Sequence, residues 1–422
     1  MTVLLGCIAD DFTGGTDIAS MLVKNGMRTV QMIGVPDAPL PDDIDAVVIA
    51  LKTRTIIAAE AVLQSLAALS YLQREQCRQF YFKYCSTFDS TARGNIGPVA
   101  DALLDAVGST FTIACPAFPA NARTIYKGNL FVGDVPLSES GMRQHPLTPM
   151  TDSNLVRVLQ SQTTRKVGLC DYATVSKGPA SITGQFEALR STGHAYAIVD
   201  AVEDAHLAAI GKACADMRLV TGGSGAALGL PQNFRRRGLL ATTARPDRLP
   251  RTAGYRAVIS GSCSVATNEQ VLVMQRSYPA FKVSPLALAS GEDVVGAAVA
   301  WAREHIARDI VLIYATATPD EVKAAQRQLG VERAGAIVER ALADIGRRLV
   351  DLGVGQFIVA GGETAGAVVN ALGIRGLRIG PEIDPGVPWT VTMGNDRPLA
   401  LALKSGNFGR ADFFLSAWER LA

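Results

Sequence analysis

Two adjacent carboxylates directly follow the first predicted strand of the chain. Residues 9–17 read ADDFTGGTD, so that Asp10 and Asp11 stand just ahead of a pair of glycines. Ligands of parallel α/β sheets bind beyond the carboxyl ends of the strands, which makes these two residues candidates to orient a substrate hydroxyl or to accept its proton. In the alternative interpretation they only end the strand and start the helix that follows. We expect Thr16 or Asp17 to cap that helix.

Hydroxyl, cationic and acidic side chains follow two further predicted strands. A small hydroxylated acid needs such a lining, because hydrogen-bonding groups hold its hydroxyls and a cation holds its carboxylate. The substrate-binding candidates are Arg54, Lys83, Ser86, Asp89 and Arg93. A surface ion pair would explain Arg54 equally well, and a helix cap would explain Ser90 and Thr91.

Three glycine-rich turns mark the second half of the chain, at residues 260–267, 359–366 and 403–409. Backbone N–H groups at a helix N-terminus favour anions, so these turns predict a site for nucleotide phosphates. The nucleotide-binding candidates are Ser260, Ser262, Gly361, Gly362, Glu363, Thr364 and Gly406. Neither GxxxxGK[ST] nor GxGxxG occurs, so the sequence supports neither a P-loop nor a dinucleotide fingerprint.

Two other features leave their roles open. His145 lies beside a proline and is either catalytic or a structural hydrogen bonder. The turn at residues 222–229 either faces the same ligands or only closes a turn. The four histidines lack ligand spacing, so we expect no metal held by protein side chains alone.

Short apolar runs alternate with helical periodicity, which is typical of a mostly parallel α/β sheet. In the first half we expect strands at residues 3–9, 46–51, 79–83, 111–114 and 195–200, and helices at 16–25, 58–73, 98–106 and 154–160, the last of these capped by Thr151 or Asp152. A β-hairpin is expected as an insertion within 123–137. In the second half we expect strands at 257–260, 281–283, 310–314 and 357–360, and helices at 268–276, 291–306, 334–352 and 367–372.

The predicted architecture is therefore two α/β domains with a ligand cleft between them. The first domain covers residues 1–233 and the second covers residues 256–422. Residues 234–255 are basic, contain proline and lack periodicity. They form either an interdomain linker or a basic stripe that reaches the nucleotide phosphates.

Composition limits the classes of function. The chain has 422 residues, a net charge of +2 and 19% charged residues, which gives no electrostatic footprint for nucleic acid. No apolar run is long enough for a membrane span. The seven cysteines form no CxxC pair, and this favours reduced thiols and a cytoplasmic location. The partners expected are small molecules and, for the chain itself, a homo-oligomer.

Together these segments resemble the four-carbon acid sugar kinase family, most closely its 3-oxo-tetronate kinase branch. The similar segments are ADDFTGGTD (9–17), CSTFDST (85–91), GNIGP (94–98), CPAFP (115–119), LFVGDVPLSESGM (130–142), HPLTPMTDSNL (145–155), SGSCS (260–264), GGETAG (361–366) and SGNFG (405–409). They extend over nearly the whole chain in consistent order.

The resemblance implies ATP-dependent phosphorylation of the terminal 4-hydroxyl of a four-carbon sugar acid, with Mg²⁺ as the expected metal. It also implies that the amino-terminal domain holds the acid, with Asp10, Arg54 and residues 83–89 facing it, and that the carboxy-terminal domain holds ATP. We expect Asp10 or Asp11 to act on the acceptor hydroxyl and Arg54 to anchor the acid's carboxylate.

One departure concerns the identity of the acid. Residues 85–88 replace a shorter, lysine-containing stretch found in relatives that act on threonate-type acids, and this fits the oxo-tetronate branch. Alternatives are a kinase for threonate or erythronate, an aldolase, epimerase or dehydrogenase, and a non-catalytic sensor of acid and nucleotide.

Overall fold

The computed structural model describes residues 3–37, 39–145, 147–242, 245–394 and 397–421. Residues 243 and 244 of the predicted linker, and Pro146 of the segment 145–155, lie outside these ranges. The chain divides into two compact units, of which the first ends at Pro246 and the second begins at Asp247. This division falls inside the predicted linker, whose exact bounds stay a prediction.

The first unit is built on a parallel sheet in the order β2-β3-β1-β4-β11-β5-β10-β9. Its strands are β1 (Leu5–Ala9), β2 (Thr29–Ile33), β3 (Ala46–Ala50), β4 (Gln79–Lys83), β5 (Thr112–Cys115), β9 (Lys166–Cys170), β10 (His194–Val199) and β11 (Leu219–Gly222), and between β5 and β9 come β6 (Arg123–Tyr126), β7 (Asn129–Val132) and β8 (Val135–Pro136). The sequence predicted β1, β3, β4, β5 and β10, but not β2, β9 and β11.

Register in this sheet determines which loops meet. Ala9 at the end of β1 lies opposite both Ala50 of β3 and Lys83 of β4. All three strands are buried along their whole length. The loops after them therefore leave the sheet at the same edge, which brings Asp10 near the chain around Arg54 and the chain after Lys83.

Eight helices cover the described part of the first unit. They are α1 (Phe12–Lys24), α2 (Ala58–Arg74), α3 (Ile96–Ala106), α4 (Leu155–Gln160), α5 (Tyr172–Val175), α6 (Pro179–Ser191), α7 (Asp204–Ala213) and α8 (Leu230–Arg236). The expected cap of α1 at Thr16 or Asp17 is wrong. Asp11 is the N-cap, because its carboxylate accepts from the backbone N–H of Gly14 and the helix begins four residues earlier than Thr16.

The predicted β-hairpin is present, and it is larger than expected. Strands β6, β7 and β8 form a separate three-stranded antiparallel sheet. The expected cap of α4 at Thr151 or Asp152 is also wrong. Asn154 caps the helix by accepting from the backbone N–H of Arg157, whereas Asp152 forms an ion pair with the side chain of that arginine.

The second unit has a mixed sheet in the order β13-β14-β12-β15-β18-β17-β16. Its strands are β12 (Tyr255–Ser260), β13 (Ala280–Lys282), β14 (Val311–Tyr314), β15 (Val354–Ala360), β16 (Gly376–Asp384), β17 (Val387–Thr392) and β18 (Ala400–Lys404). The sequence predicted β12 to β15. It did not predict the antiparallel pairings of β17 with β16 and β18. Trp389 on β17 lies in the core of this unit and packs against Trp418.

The helices of the second unit are α9 (Val265–Gln275), α10 (Pro285–Ala289), α11 (Val294–His305), α12 (Pro319–Leu329), α13 (Val331–Asp351), α14 (Gly362–Ala371) and α15 (Phe413–Ser416). The expected start of α14 at residue 367 is wrong, because the glycine turn itself forms the first turn of the helix. In the described ranges, no helix combines the length and the apolar character that a membrane crossing requires.

The turn at residues 222–229 has a structural role. A Cβ at Gly222 would lie 2.4 Å from the carbonyl oxygen of Cys115, and one at Gly225 would lie 2.4 Å from the carbonyl oxygen of Ala117. Both glycines are buried. Glycine is required here because the turn packs directly against the backbone that follows β5.

We therefore expect Gly225→Ala to destabilise the protein by about 1–3 kcal/mol and to lower the Tm by roughly 2–10 °C, since the backbone it meets cannot move freely. Differential scanning calorimetry measures this change. The matched control is Gly184→Ala in α6, where a Cβ meets open space. This control should stabilise the helix by up to about 1 kcal/mol. Equal Tm values for the two variants would contradict the packing argument.

Candidate active site

Asp10 and Asp11 share one arginine. Arg54 Nε donates to Asp10 Oδ2 at 2.9 Å, and its Nη2 donates to Asp10 Oδ1 and to Asp11 Oδ1, both at 2.7 Å. The backbone N–H groups of Thr53 and Arg54 both donate to the carbonyl oxygen of Asp10. The Arg54 guanidinium, predicted to anchor a substrate carboxylate, is thus largely occupied by the two aspartates.

The two aspartates differ in burial and in pKa. Asp10 is 5% exposed, and burial raises its pKa although Arg54 acts in the opposite direction. At Asp11, burial also acts to raise the pKa. The positive charges of Arg54 and Lys83 outweigh this effect, together with hydrogen bonds from Thr13 and Gly14, and the pKa of Asp11 lies below the ordinary value. Of the pair, Asp10 has the pKa better suited to accept a proton.

Arg54 remains charged. Burial disfavours its charged form, but the nearby carboxylates of Asp10 and Asp11 hold its pKa well above the usual range. Its Nη1 lies 3.8 Å from Asp89 Oδ2, which adds a third carboxylate to the group. Arg54 is therefore fixed in position by its neighbours.

The turn after β4 has an unusual backbone. Phe88 and Asp89 have φ values of 65° and 44°, in the left-handed region that non-glycine residues rarely adopt. Thr87 Oγ1 donates to Asp89 Oδ1 at 2.6 Å, and the buried Phe88 ring packs edge-on against Tyr84. These contacts stabilise a turn that directs the Asp89 carboxylate toward Arg54.

Lys83 lies beneath the loop that follows β1. Its side chain is buried, and its Nζ donates to the carbonyl oxygen of Tyr84 at 2.9 Å. A Cβ at Gly14 would lie 2.9 Å from this Nζ and 2.2 Å from Asp11 Oδ1. A glycine is therefore needed at position 14 to let the loop approach the lysine and the capping carboxylate.

Three other candidates lie in different surroundings. Ser86 is half-buried in the turn after β4, and Arg93 is exposed, with no ion pair to any residue of the described ranges. His145 accepts at Nδ1 from the backbone N–H and from the hydroxyl of Thr148. This contact favours the structural interpretation of His145.

Sequence reasoning missed the residue that holds the Arg54 loop. Asn95 Nδ2 donates to the carbonyl oxygens of Thr53 and Ile56 at 2.7 and 2.8 Å. Together Asn95, Arg54, Asp10 and Asp89 line a small cavity of about 10 Å³. It holds about one water molecule, so it is not a pocket for a four-carbon acid. The only available signal for Asn95 was its place in the segment GNIGP.

The second unit contains a large cavity. Its volume is about 640 Å³, within the range of small-molecule sites. One end is formed by the turns at residues 261–263 and 361–364, and much of the wall comes from apolar residues of α12 and α13, among them Val322 and Val338. A site with polar turns at one end and apolar walls suits a nucleotide, whose phosphates and base have these two characters.

The turn before α14 requires glycine. Gly361 has a φ of 120°, and a Cβ there would lie 3.0 Å from Thr364 Oγ1 and 3.2 Å from the backbone nitrogen of Ser262. Gly362 and Glu363 are exposed and line the cavity, whereas Thr364 is buried at its edge. The first turn of α14 thus presents backbone N–H groups to the cavity.

Of the remaining nucleotide candidates, Ser262 and Gly406 lie at or beside the cavity and Ser260 does not. Ser260 is fully buried and its hydroxyl pairs with that of Thr316 at 2.6 Å, so its side chain does not reach the cavity. Ser262 lines the cavity. A Cβ at Gly406 would lie 2.4 Å from Ser262 Oγ, which places the last glycine turn beside the first.

Comparison with known proteins identifies both units. A sugar-binding N-terminal domain matches residues 5–230, and a nucleotide-binding C-terminal domain matches residues 257–414. The 3-oxo-tetronate kinase of Burkholderia multivorans is 62% identical over 418 residues, with 99% of this chain and 97% of the relative covered. That of Pseudomonas fluorescens is 61% identical over 422 residues, with the same shares covered.

A solved structure agrees with these matches. The crystal structure of a Haemophilus influenzae protein superposes with a TM-score of 0.83 at 47% sequence identity, covering 99% of this chain and 100% of that protein. Of the segments that carried the resemblance, 9–17, 85–91 and 115–119 lie at the ends of β1, β4 and β5. Segments 260–264, 361–366 and 405–409 are the glycine turns described above. The chain belongs to the 3-oxo-tetronate kinase branch of the four-carbon acid sugar kinase family.

Proposed function

We propose that this protein is an ATP-dependent kinase that converts 3-oxo-tetronate to 3-oxo-tetronate 4-phosphate. The observation that carries the proposal is about 60% identity to 3-oxo-tetronate kinases over 99% of the chain. The intact Asp10–Arg54 pair and the glycine-lined cavity agree with it. The two matched domains have the sugar-binding and nucleotide-binding roles that such a reaction needs.

Asp10 is our proposed base. In the reaction the 4-hydroxyl oxygen attacks the γ-phosphorus of ATP, its proton passes to the Asp10 carboxylate, and ADP leaves. Phosphoryl transfer depends mainly on alignment and on neutralising charge, so a carboxylate that orients the hydroxyl is sufficient protein chemistry at this end. Asp11 is engaged as the helix cap of α1, which leaves Asp10 for this role.

Arg54 positions this base. Two of its nitrogen atoms donate to the two oxygens of Asp10, and this fixes the orientation of the carboxylate. We propose that the acid's carboxylate contacts Ser86, Arg93 and Lys83, with Asp89 accepting from a substrate hydroxyl. Ser86 and Arg93 are more accessible to solvent than Lys83 and Asp89.

Mg²⁺ is proposed as a component of the ATP complex. Among the residues that the structure describes, no group of three or more histidine, cysteine or carboxylate side chains is arranged to hold a metal. Mg²⁺ in kinases keeps several waters and is held largely by substrate phosphates, so this chemistry fits a site without a dedicated protein cage. When bound, the ion neutralises charge on the β- and γ-phosphates.

An ADP-release assay with a panel of four-carbon acids tests the function. We expect 3-oxo-tetronate to give a kcat/KM at least about tenfold above those of threonate and erythronate, since a site built to hydrogen-bond a substrate group discriminates by this much or more. Preference for threonate or erythronate would overturn the substrate, and absence of any acid-dependent ADP release would overturn the kinase.

The pKa of Asp10 predicts how the rate depends on pH. A base must be ionised, so kcat/KM rises with pH as Asp10 loses its proton and then reaches a plateau. Because the pKa of Asp10 is raised, this rise should occur above the ordinary aspartate pKa of 3.8. Asp11→Asn should keep the rise, because the lowered pKa of Asp11 places its own titration below that range. The rise should move toward lower pH in this variant, because the charge of Asp11 contributes to the raised pKa of Asp10. If kcat/KM of Asp11→Asn no longer rose with pH, the titrating group would be Asp11 and not Asp10.

A further inference from the structure

A fully buried lysine lies under the glycine turns of the second unit. Lys404 is the last residue of β18 and is 0% exposed. It pairs in register with Ala360, the last residue of β15, and its carbonyl oxygen accepts from the N–H of Gly361. Lys404 therefore stands below both the turn that opens α14 and the turn at residues 405–409.

The lysine ammonium lacks an opposite charge. Its Nζ donates to Thr267 Oγ1 at 3.1 Å and to the carbonyl oxygens of Ser405 and Gly406 at 3.1 and 3.0 Å. None of these facing groups titrates near neutral pH, and no carboxylate of the described ranges forms an ion pair with it. Burial lowers its pKa to about 7. A buried cation is stabilised by an anion, and the part of the chain that the structure describes does not supply one here.

The carbonyl groups that face Lys404 determine where the neighbouring N–H groups point. The Gly406 oxygen also accepts from Ser264 Oγ at 2.6 Å and from Thr267 Oγ1 at 2.8 Å. In a trans peptide the C=O and N–H groups point in opposite directions, and the described chain contains no cis peptide. The N–H groups of Gly406 and Asn407 consequently point away from the lysine.

These two N–H groups form a cradle for an anion. Neither donates to an oxygen atom of the described part of the chain. Successive N–H groups on one side of a turn make an anion-binding concavity. Gly406 adjoins Ser262, which lines the large cavity, so an anion in the cradle lies beside that cavity.

We propose that Lys404 is a positioning residue for the nucleotide phosphates. It holds the carbonyl groups of Ser405 and Gly406 inward, so that the N–H groups of Gly406 and Asn407 face a phosphate. The negative charge of that phosphate compensates the positive charge of the lysine. This inference rests on the proposed function of the second unit in binding ATP. Lys404 acts through the turn, and it does not contact the reacting atoms.

Substitution by methionine separates this role from a structural one. Lys404→Met keeps the length of the side chain and removes its charge. We expect it to raise the apparent KM for ATP about tenfold or more, because a charge-assisted arrangement is lost, and to change the KM for the acid by less than about twofold. The Tm should not fall, since an uncompensated buried charge is removed.

The comparison variant is Thr267→Val, which leaves the charge but removes one of the three oxygen atoms that accept from Lys404 Nζ, together with one donor to the Gly406 carbonyl oxygen. It should raise the KM for ATP less than Lys404→Met does, because the carbonyl oxygens of Ser405 and Gly406 still accept from the ammonium and stay turned toward it. A Lys404→Met enzyme with an unchanged KM for ATP would overturn the inference. So would one that lost Tm and affinity for both substrates in equal measure.

The unmodified protein provides a second test that needs no variant. At pH 8 an amine with a pKa near 7 is mostly neutral, and a bound phosphate should return its proton. Calorimetry in two buffers of different ionisation enthalpy, repeated from about pH 7 to about pH 10, should therefore show proton uptake on binding ADP at some of these pH values, and none with adenosine. If ADP binds without proton uptake throughout this range, Lys404 does not have this role.

The two proposals fail separately. ADP release by the unmodified enzyme in the presence of the acid tests the kinase, whatever the outcome for Lys404. An active kinase whose ADP binding takes up no proton would overturn the lysine inference alone. A protein that binds neither ADP nor adenosine would overturn both.

Discussion

Asp10→Asn should lower kcat by about 10²-fold to 10⁴-fold, the range that a general base contributes. Asparagine has the same shape and keeps one oxygen for Arg54, but it cannot accept the proton of the acceptor hydroxyl. ATP binding should stay nearly intact, because the nucleotide candidates lie in the second unit. Steady-state kinetics and calorimetric titration with ATP measure the two quantities.

Asp11→Asn is the control for this experiment. Asparagine is as good an N-cap as aspartate, so the contact with the Gly14 N–H and the start of α1 are retained. Only one charge beside Arg54 is lost, and we expect kcat to fall by about tenfold or less. If Asp10→Asn remained active, or if Asp11→Asn lost more activity than Asp10→Asn, the base would have to be assigned elsewhere.

Gly362→Val should raise the KM for ATP by about tenfold or more, since a branched side chain would occupy the space in which a phosphate approaches the first turn of α14. The KM for the acid should change by less than about twofold, because the variant lies in the nucleotide cavity. Initial rates at varied concentrations of each substrate give both constants.

Gly366→Val is the matched control, because it places the same side chain on the same helix. A Cβ at Gly366 meets no atom within 4 Å, and Gly366 does not line the cavity. The effect of valine on helix propensity is common to both variants, so the difference between them measures the phosphate approach. An equal KM for ATP in the two variants would mean that Gly362 only shapes the turn.

The sequence predicted those strands and helices whose local hydrophobic pattern matches their burial in the folded protein. Strands such as β3 are buried throughout, and an uninterrupted apolar run indicates this directly. Strand β9 begins with an exposed lysine and includes a glycine, and its pattern is correspondingly weak. The antiparallel strands β16 and β17 are joined by a short turn, whereas the rest of the chain indicated parallel pairing through helices.

The sequence indicated which residues belong to the candidate site more reliably than it indicated which of them contact each other. The position of Asp10 at a strand end indicated chemistry. Its bidentate contact with Arg54, however, depends on the register of two strands whose paired residues, such as Leu5 and Ala46, are far apart in the chain. The same applies to Asn95, which holds the Arg54 loop from another element. In the sequence Lys404 stood out only as part of the glycine-rich turn at residues 403–409. Its burial follows from the pairing of β18 between β15 and β17.

The position of β18 also affects how the second unit can form on the ribosome. This strand lies between β15 and β17 in the sheet, yet it is the last strand of the unit to be synthesised. Until residues 400–404 leave the exit tunnel, the edge of β15 is unpaired and the turn that begins at Ser405 does not exist. A nascent chain stalled before this point, or a product of a premature stop codon there, should be recognised by chaperones and proteases as unfinished, because one edge of β15 is still exposed.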